Sequence, residues 1–111
     1  MRRDWAECRN CSLASTSKSP VLYEICPPEQ PGPPVLWIAE APGPNEWALG
    51  RPLIGPSGKF FRSQILGTLP PHRWTLANRV ACFPAKKGAP TQFRSPNKTE
   101  MKACEPWRDR L

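Results

Sequence analysis

The chain is 111 residues long, 39% hydrophobic, with 16 prolines and 16 Lys and Arg against 9 Asp and Glu, a formal net charge of +7. That length supports one domain with a modest core, and so many prolines exclude long uninterrupted helices and strands over much of it. No apolar run reaches the roughly 18 residues of a membrane span, and Arg2 and Arg3 have no apolar stretch behind them, so neither a membrane protein nor a secretory leader is expected.

The expected compartment is cytoplasmic, where thiols stay reduced. Five cysteines there point to metal more than to disulfides. The positive charge suits a polyanionic partner, because neutralising phosphates releases counterions, but by charge alone it favours nucleic acid only weakly.

In chain order, Asp4 to Leu13 carries Cys8 and Cys11 as a C-x-x-C turn. Val21 to Cys26 reads as an edge strand. Pro27 to Pro34, with five prolines and a glycine, reads as a rigid exposed loop. Val35-Leu36-Trp37-Ile38-Ala39 is a continuous apolar run that fits a strand buried on both faces of a parallel α/β sheet. The turn Glu40-Ala41-Pro42-Gly43-Pro44 lies at its carboxyl end, where open α/β sheets bind ligands.

Gly55-Pro56-Ser57-Gly58 leads into a short helix over Lys59 to Leu66. Phe61 and Ile65 share one face of it, and Ser57 is the expected cap. Trp74 to Cys82 reads as a second buried strand interrupted by Asn78, joined to the first by a right-handed β-α-β connection. Residues 84 to 96 read as a basic loop, and His72 as a surface residue of the loop before the second strand. A last helix starts at Asn97, with Glu100 completing a capping box, and carries Cys104.

Cys8, Cys11, Cys82 and Cys104 are candidate thiolate ligands. The spacing is C-x2-C, a long gap (82 − 11 = 71) and a wide pair (104 − 82 = 22). Two close pairs would argue for zinc. This looser set suits zinc, a 4Fe–4S cluster or unliganded buried cysteines, and the spacing leaves all three open. Cys26 reads as a simple strand residue.

Four ordered segments resemble the family 4 uracil-DNA glycosylases: Trp37-Ile38-Ala39-Glu40-Ala41-Pro42-Gly43-Pro44-Asn45-Glu46; Gly50-Arg51-Pro52-Leu53-Ile54-Gly55-Pro56-Ser57-Gly58-Lys59; Ala77-Asn78-Arg79-Val80-Ala81-Cys82-Phe83-Pro84; and Glu100-Met101-Lys102-Ala103-Cys104-Glu105-Pro106-Trp107. The resemblance spans nearly all of this chain but only about the first half of a family member. It implies a three-layer α/β/α fold with a parallel sheet, apparently truncated, with residues 1–111 forming one incomplete domain.

It also implies hydrolysis of the N-glycosidic bond of deoxyuridine in DNA, with the base flipped into a pocket. Cys8, Cys11, Cys82 and Cys104 fall on the family's 4Fe–4S ligand positions, and Asn78 on its uracil-reading asparagine. An amide offers a donor and an acceptor, matching the O4 and N3–H edge of uracil. Glu40 and Glu46 fall on acidic positions that position water or stabilise charge on the sugar. Ala41, Pro42, Gly43 and Leu53 fall on the pocket. The expected partner is uracil-containing DNA, bound by a monomer, with Arg51, Lys59, Arg79, Lys86 and Lys87 as candidate phosphate contacts.

The chain departs from the family pattern. Leu53 stands where the family has a phenylalanine that stacks on uracil. Ala39 and Ala41 are milder changes, and the stretch between Cys82 and Cys104 is several residues longer. The family's histidine and duplex-wedging loop, which lie in its second half, have no counterpart here. The alternative readings are a non-catalytic, metal-stabilised nucleic-acid-binding module and an inactive truncated fragment.

Overall fold

The computed structural model describes residues 2–16 and 20–111. Two short helices, α1 (Arg2–Ala6) and α2 (Leu13–Thr16), precede β1 (Glu24–Ile25) and β2 (Pro34–Ala39). Then come α3 (Pro44–Leu49), α4 (Pro56–Phe60), a π-helical continuation over Phe61–Leu66, and β3 (Arg73–Asn78). A hairpin of β4 (Ala85–Lys86) and β5 (Ala89–Phe93) leads to α5 (Lys98–Arg108).

The architecture is α/β. β3 is the middle strand of a mixed three-stranded sheet, parallel to β2 and antiparallel to β1. The β2–β3 register runs from Pro34 opposite Arg73 to Ala39 opposite Asn78. It continues one step past the strands, where Arg79 N–H donates to the Ala39 carbonyl at 2.7 Å and Val80 N–H to that of Glu40 at 3.1 Å. The two carboxyl ends are therefore zipped side by side.

Several expectations from the sequence need correction. β2 is not buried on both faces. Its residues alternate in exposure, and Leu36 and Ile38 stand 38% and 46% exposed. On the other face Trp37 packs edge-on against Phe61, centroids 5.1 Å apart, so the π-helical turn covers that side. Ser57 is not a cap: α4 begins earlier, on Gly55, with Pro56 at its first position.

The second strand stops at Asn78 instead of running to Cys82. Residues 85–93, read as a loop, pair as a bulged hairpin. His72 is buried. Its Nε2 accepts a hydrogen bond from the Trp37 indole at 3.1 Å and its Nδ1 faces the Pro70 carbonyl at 3.0 Å. With both ring nitrogens within hydrogen-bond distance of a partner, the buried imidazole leaves no polar atom unsatisfied.

The last helix starts as expected. Asn97 Oδ1 accepts from Glu100 N–H at 2.8 Å, and the Glu100 carboxylate returns the bond to Asn97 N–H at 2.9 Å. Glu100 is buried, and Arg94 from the end of the hairpin grips it with two bonds of 2.8 and 2.7 Å. Those bonds, stronger than its desolvation, hold its carboxyl below the usual range.

One core cluster joins Trp5, Leu13, Val80, Ala81, Cys82 and Cys104, with Cys8 and Cys11 packed against it. Trp5 stacks between Tyr23 and Trp107, at 5.8 and 6.0 Å. A core this small leans on contacts that bridge distant segments, and the four cysteines sit at that bridge.

Candidate functional site

A cavity of about 320 Å³ opens at the carboxyl ends of β2 and β3. Ala39, Ala41 and Gly43 line it from the first strand end, Asn78 from the second, and Leu53, Gly55 and Gly58 from the turn into α4. Topology explains the location: parallel strands that end together leave a crevice between their outgoing turns.

Asn78 is 4% exposed, and its Nδ2 has no hydrogen-bond partner among the described residues. Burying an amide donor unpaired costs roughly 1–3 kcal/mol. The residue is therefore held in place by its strand register and presents an unmet donor to the cavity. Ala39 and Ala41 line the cavity beside it with small apolar side chains.

Glu46 lies in α3 and lines the same cavity, but its carboxylate is already engaged. Oε1 accepts Gly43 N–H at 3.0 Å; Oε2 accepts Ile54 N–H at 2.9 Å and also Gly55 N–H. Burial alone would raise this carboxyl. The N–H groups of Gly55, Ile54 and Gly43, with its own, outweigh burial and hold it below the ordinary carboxylate range. Glu40 differs: its side chain is exposed and lies outside the cavity lining, although its backbone carbonyl is used by Val80. Pro42 is fully buried beneath the turn and does not line the cavity.

Leu53 has φ 54°, the left-handed region that disfavours side chains. Two neighbours hold it there. Arg62 donates from Nε to the Leu53 carbonyl and from Nη2 to the Pro52 carbonyl, both at 2.8 Å, while pairing with Glu24 at 2.9 Å. Gly58 lets α4 approach: a Cβ there would stand 2.1 Å from the Leu53 carbonyl carbon.

Sequence reasoning missed Arg62, whose charge had no motif around it, and Phe93, a cavity-lining residue at the end of β5. No local signal marks either, since both act through contacts with distant segments.

Of the candidate phosphate contacts, Lys59, Arg79, Lys86 and Lys87 are exposed. Arg51 pairs with Glu24 at 3.0 Å. Arg51, Lys59 and Arg62 line a second cavity of about 480 Å³, which shares Asn45, Gly55 and Pro56 with the first. A basic wall thus borders the cavity that holds Asn78.

Among the described residues no group of His, Cys, Asp or Glu is set to hold a single metal ion. A four-iron cluster makes a different demand, because each thiolate binds its own iron and the ligands need not converge on a point. The four cysteines fit that demand. They gather at one core cluster, and Cys8 Sγ accepts N–H bonds from Trp107 at 3.2 Å and Asn10 at 3.4 Å. Burial pushes the Cys104 thiol up, and the nearby Cys11 and Cys8 push it further. Such crowded sulfurs become thiolates only beside a compensating cation. Cys26 lies outside this group, its N–H bonded to the Trp74 carbonyl at 3.0 Å in the sheet edge.

Residues 27–110 match the family model described as the uracil DNA glycosylase superfamily. The chain is 30% identical over 113 aligned residues to the type-4 uracil-DNA glycosylase of Sulfurisphaera tokodaii, covering 99% of this chain and 46% of that protein. It is 32% identical to the type-4 uracil-DNA glycosylase of Saccharolobus solfataricus, covering 91% of this chain and 43% of the relative. The chain thus spans less than half the length of these curated relatives.

Proposed function

Because the chain belongs to the uracil DNA glycosylase superfamily, we propose that it carries the base-recognition and cluster-bearing portion of a type-4 uracil-DNA glycosylase, a DNA-repair hydrolase that cleaves the N-glycosidic bond of deoxyuridine. The observation that carries this reading is the unmet Asn78 donor, buried in a cavity at the strand ends. Uracil O4 satisfies it, and the amide oxygen can accept uracil N3–H. Cytosine presents a donor where O4 would be and leaves the buried donor unpaired, which opposes its binding.

In this reading the base leaves the duplex stack and enters the cavity, while Lys59, with Arg79, Lys86 and Lys87, contacts the flanking phosphates of a strand bound by a monomer. Glu40, exposed next to the cavity turn, is free to orient water or face positive charge on the sugar. Glu46, with every oxygen engaged, holds the turns that shape the pocket and is a positioning residue. Cys8, Cys11, Cys82 and Cys104 would hold a 4Fe–4S cluster. When bound it supplies structural cross-linking, tying the N-terminal helices to α5 in a reducing, cytoplasmic setting.

The test is release of uracil from a deoxyuridine oligonucleotide, read as alkali-labile strand scission, with Asn78→Ala beside the parent. Loss of roughly 10- to 100-fold, with DNA affinity retained, is the expected result. DNA binding that is salt-sensitive and indifferent to both uracil and Asn78→Ala would instead establish a non-catalytic binding module.

A further inference from the structure

Phe93 is the one aromatic side chain among the residues lining the cavity. It comes from β5, in the hairpin that lies between Cys82 and Cys104. Leu53 lines the same cavity and offers only an aliphatic surface. We infer that Phe93 is the base-stacking residue of this pocket, and that the hairpin supplies the aromatic face which Leu53 does not. The inference rests on the proposed recognition of uracil by Asn78 and adds a second, independent contact: the plane of the base rather than its edge.

The hairpin holds this ring firmly. Phe93 packs against Phe83, with centroids 6.5 Å apart and planes at 45°, and Phe83 stacks on Trp47 of α3 at 4.8 Å and 13°. Ala85 pairs with Phe93 in the β4–β5 register, and the next residue, Arg94, is anchored through its Nε to the Ala85 carbonyl and through its guanidinium to buried Glu100. The backbone on both sides of Phe93 is therefore fixed. β5 also contacts α3, whose Glu46 gathers the N–H groups of Gly43, Ile54 and Gly55. Phe93, Leu53 and the turn beside Asn78 are consequently set in one frame.

A pyrimidine that enters the cavity needs an apolar surface for its faces as well as partners for its edge. Base–aromatic stacking contributes enough to change affinity about 5- to 100-fold per base. Leu53, Ala39 and Ala41 supply apolar area but no π-face, so the stacking contribution falls to Phe93.

Titration of free uracil into the intact chain, followed through the uracil H5 and H6 proton resonances, tests this directly. Stacking on a ring moves both resonances upfield, a signature that a merely structural role for Phe93 would not produce. Phe93→Leu is expected to abolish the upfield shift and weaken binding roughly 10-fold, with near-ultraviolet circular dichroism from the Trp47–Phe83 stack retained. Adding Leu53→Phe to Phe93→Leu should restore the shift and part of the affinity. If Phe93→Leu binds uracil as the parent does, with the same shifts, while Asn78→Ala still weakens binding, this inference is overturned and the proposed function stands. If the parent binds neither uracil nor deoxyuridine oligonucleotide, both fall together.

Discussion

Three backbone N–H groups, of Gly43, Ile54 and Gly55, end on the Glu46 carboxylate. A carboxylate so engaged is a poor base and a good clamp. Its folded pKa lies below the ordinary 4.5, so its stabilisation is full above that value and is lost as pH falls through the folded one. Glu24 behaves the same way: burial would raise it, but Arg62 and Arg51 bring it down. Glu100, lowered first by Arg94, is the third. Calorimetry should therefore show a thermal midpoint that drops steeply below pH 4.5. Glu46→Gln should cost about 1–3 kcal/mol at pH 7 and flatten the acid limb, because it removes one of these lowered carboxylates. A parallel pair of curves would show that Glu46 does not hold the turns through its charge. At this scale Asn78 and the four cysteines stand out in the sequence as candidates, because short motifs surround each of them. Phe93, Arg62 and the burial of His72 do not, since each depends on a residue 9 to 38 positions away or on a cavity wall, and no sequence window contains both partners.

Elements followed the sequence where hydrophobic runs and caps are strong. β2, β3 and the capping box of α5 came out as expected in kind, if not in length. The hairpin did not, because Lys86, Lys87, Gly88 and Pro90 carry the composition of a loop; its pairing is fixed by the Arg94–Glu100 grip and by Phe93 packing on Phe83. α4 meets the Leu53 turn at close range, and Gly58 permits it. Gly58→Ala should lower stability by about 1–3 kcal/mol and weaken uracil binding, since the Leu53 backbone must move. Gly50→Ala meets no atom within 4 Å but sits at φ 72°, so it should cost only about 1–2 kcal/mol of backbone strain and leave binding intact. Denaturant melts of the two variants with a uracil titration separate these effects. The link between the N-terminal helices and α5 is tested by the cysteines. Reconstitution with iron and sulfide should give visible absorbance and acid-labile sulfide in the parent and in Cys26→Ser. Both should be lost in Cys8→Ser, Cys11→Ser, Cys82→Ser or Cys104→Ser. A cluster that survives in any of those four would remove that residue from the ligand set.

At the scale of the molecule, the sheet order β1-β3-β2 leaves β2 at an edge, with its outer N–H and C=O groups unpaired by any described strand. Native edges are usually blunted by charge, a bulge or proline. Here Pro34 protects only the first residue of six, and Val35 to Ala39 carry no charge. One face of the strand adds Leu36 and Ile38, both substantially exposed. The chemistry of the edge itself sets an expectation. The monomer proposed for DNA binding should hold at low concentration, and the 111-residue chain should self-associate as concentration rises. Ile38→Lys puts a charge on the exposed face without disturbing the Trp37–Phe61 contact on the other, so it should suppress association with a stability change of about 1 kcal/mol or less. Sedimentation velocity across a concentration series distinguishes the cases. If Ile38→Lys leaves the association unchanged, the copies meet elsewhere; if the parent stays monomeric throughout, the twist of a short edge is protection enough.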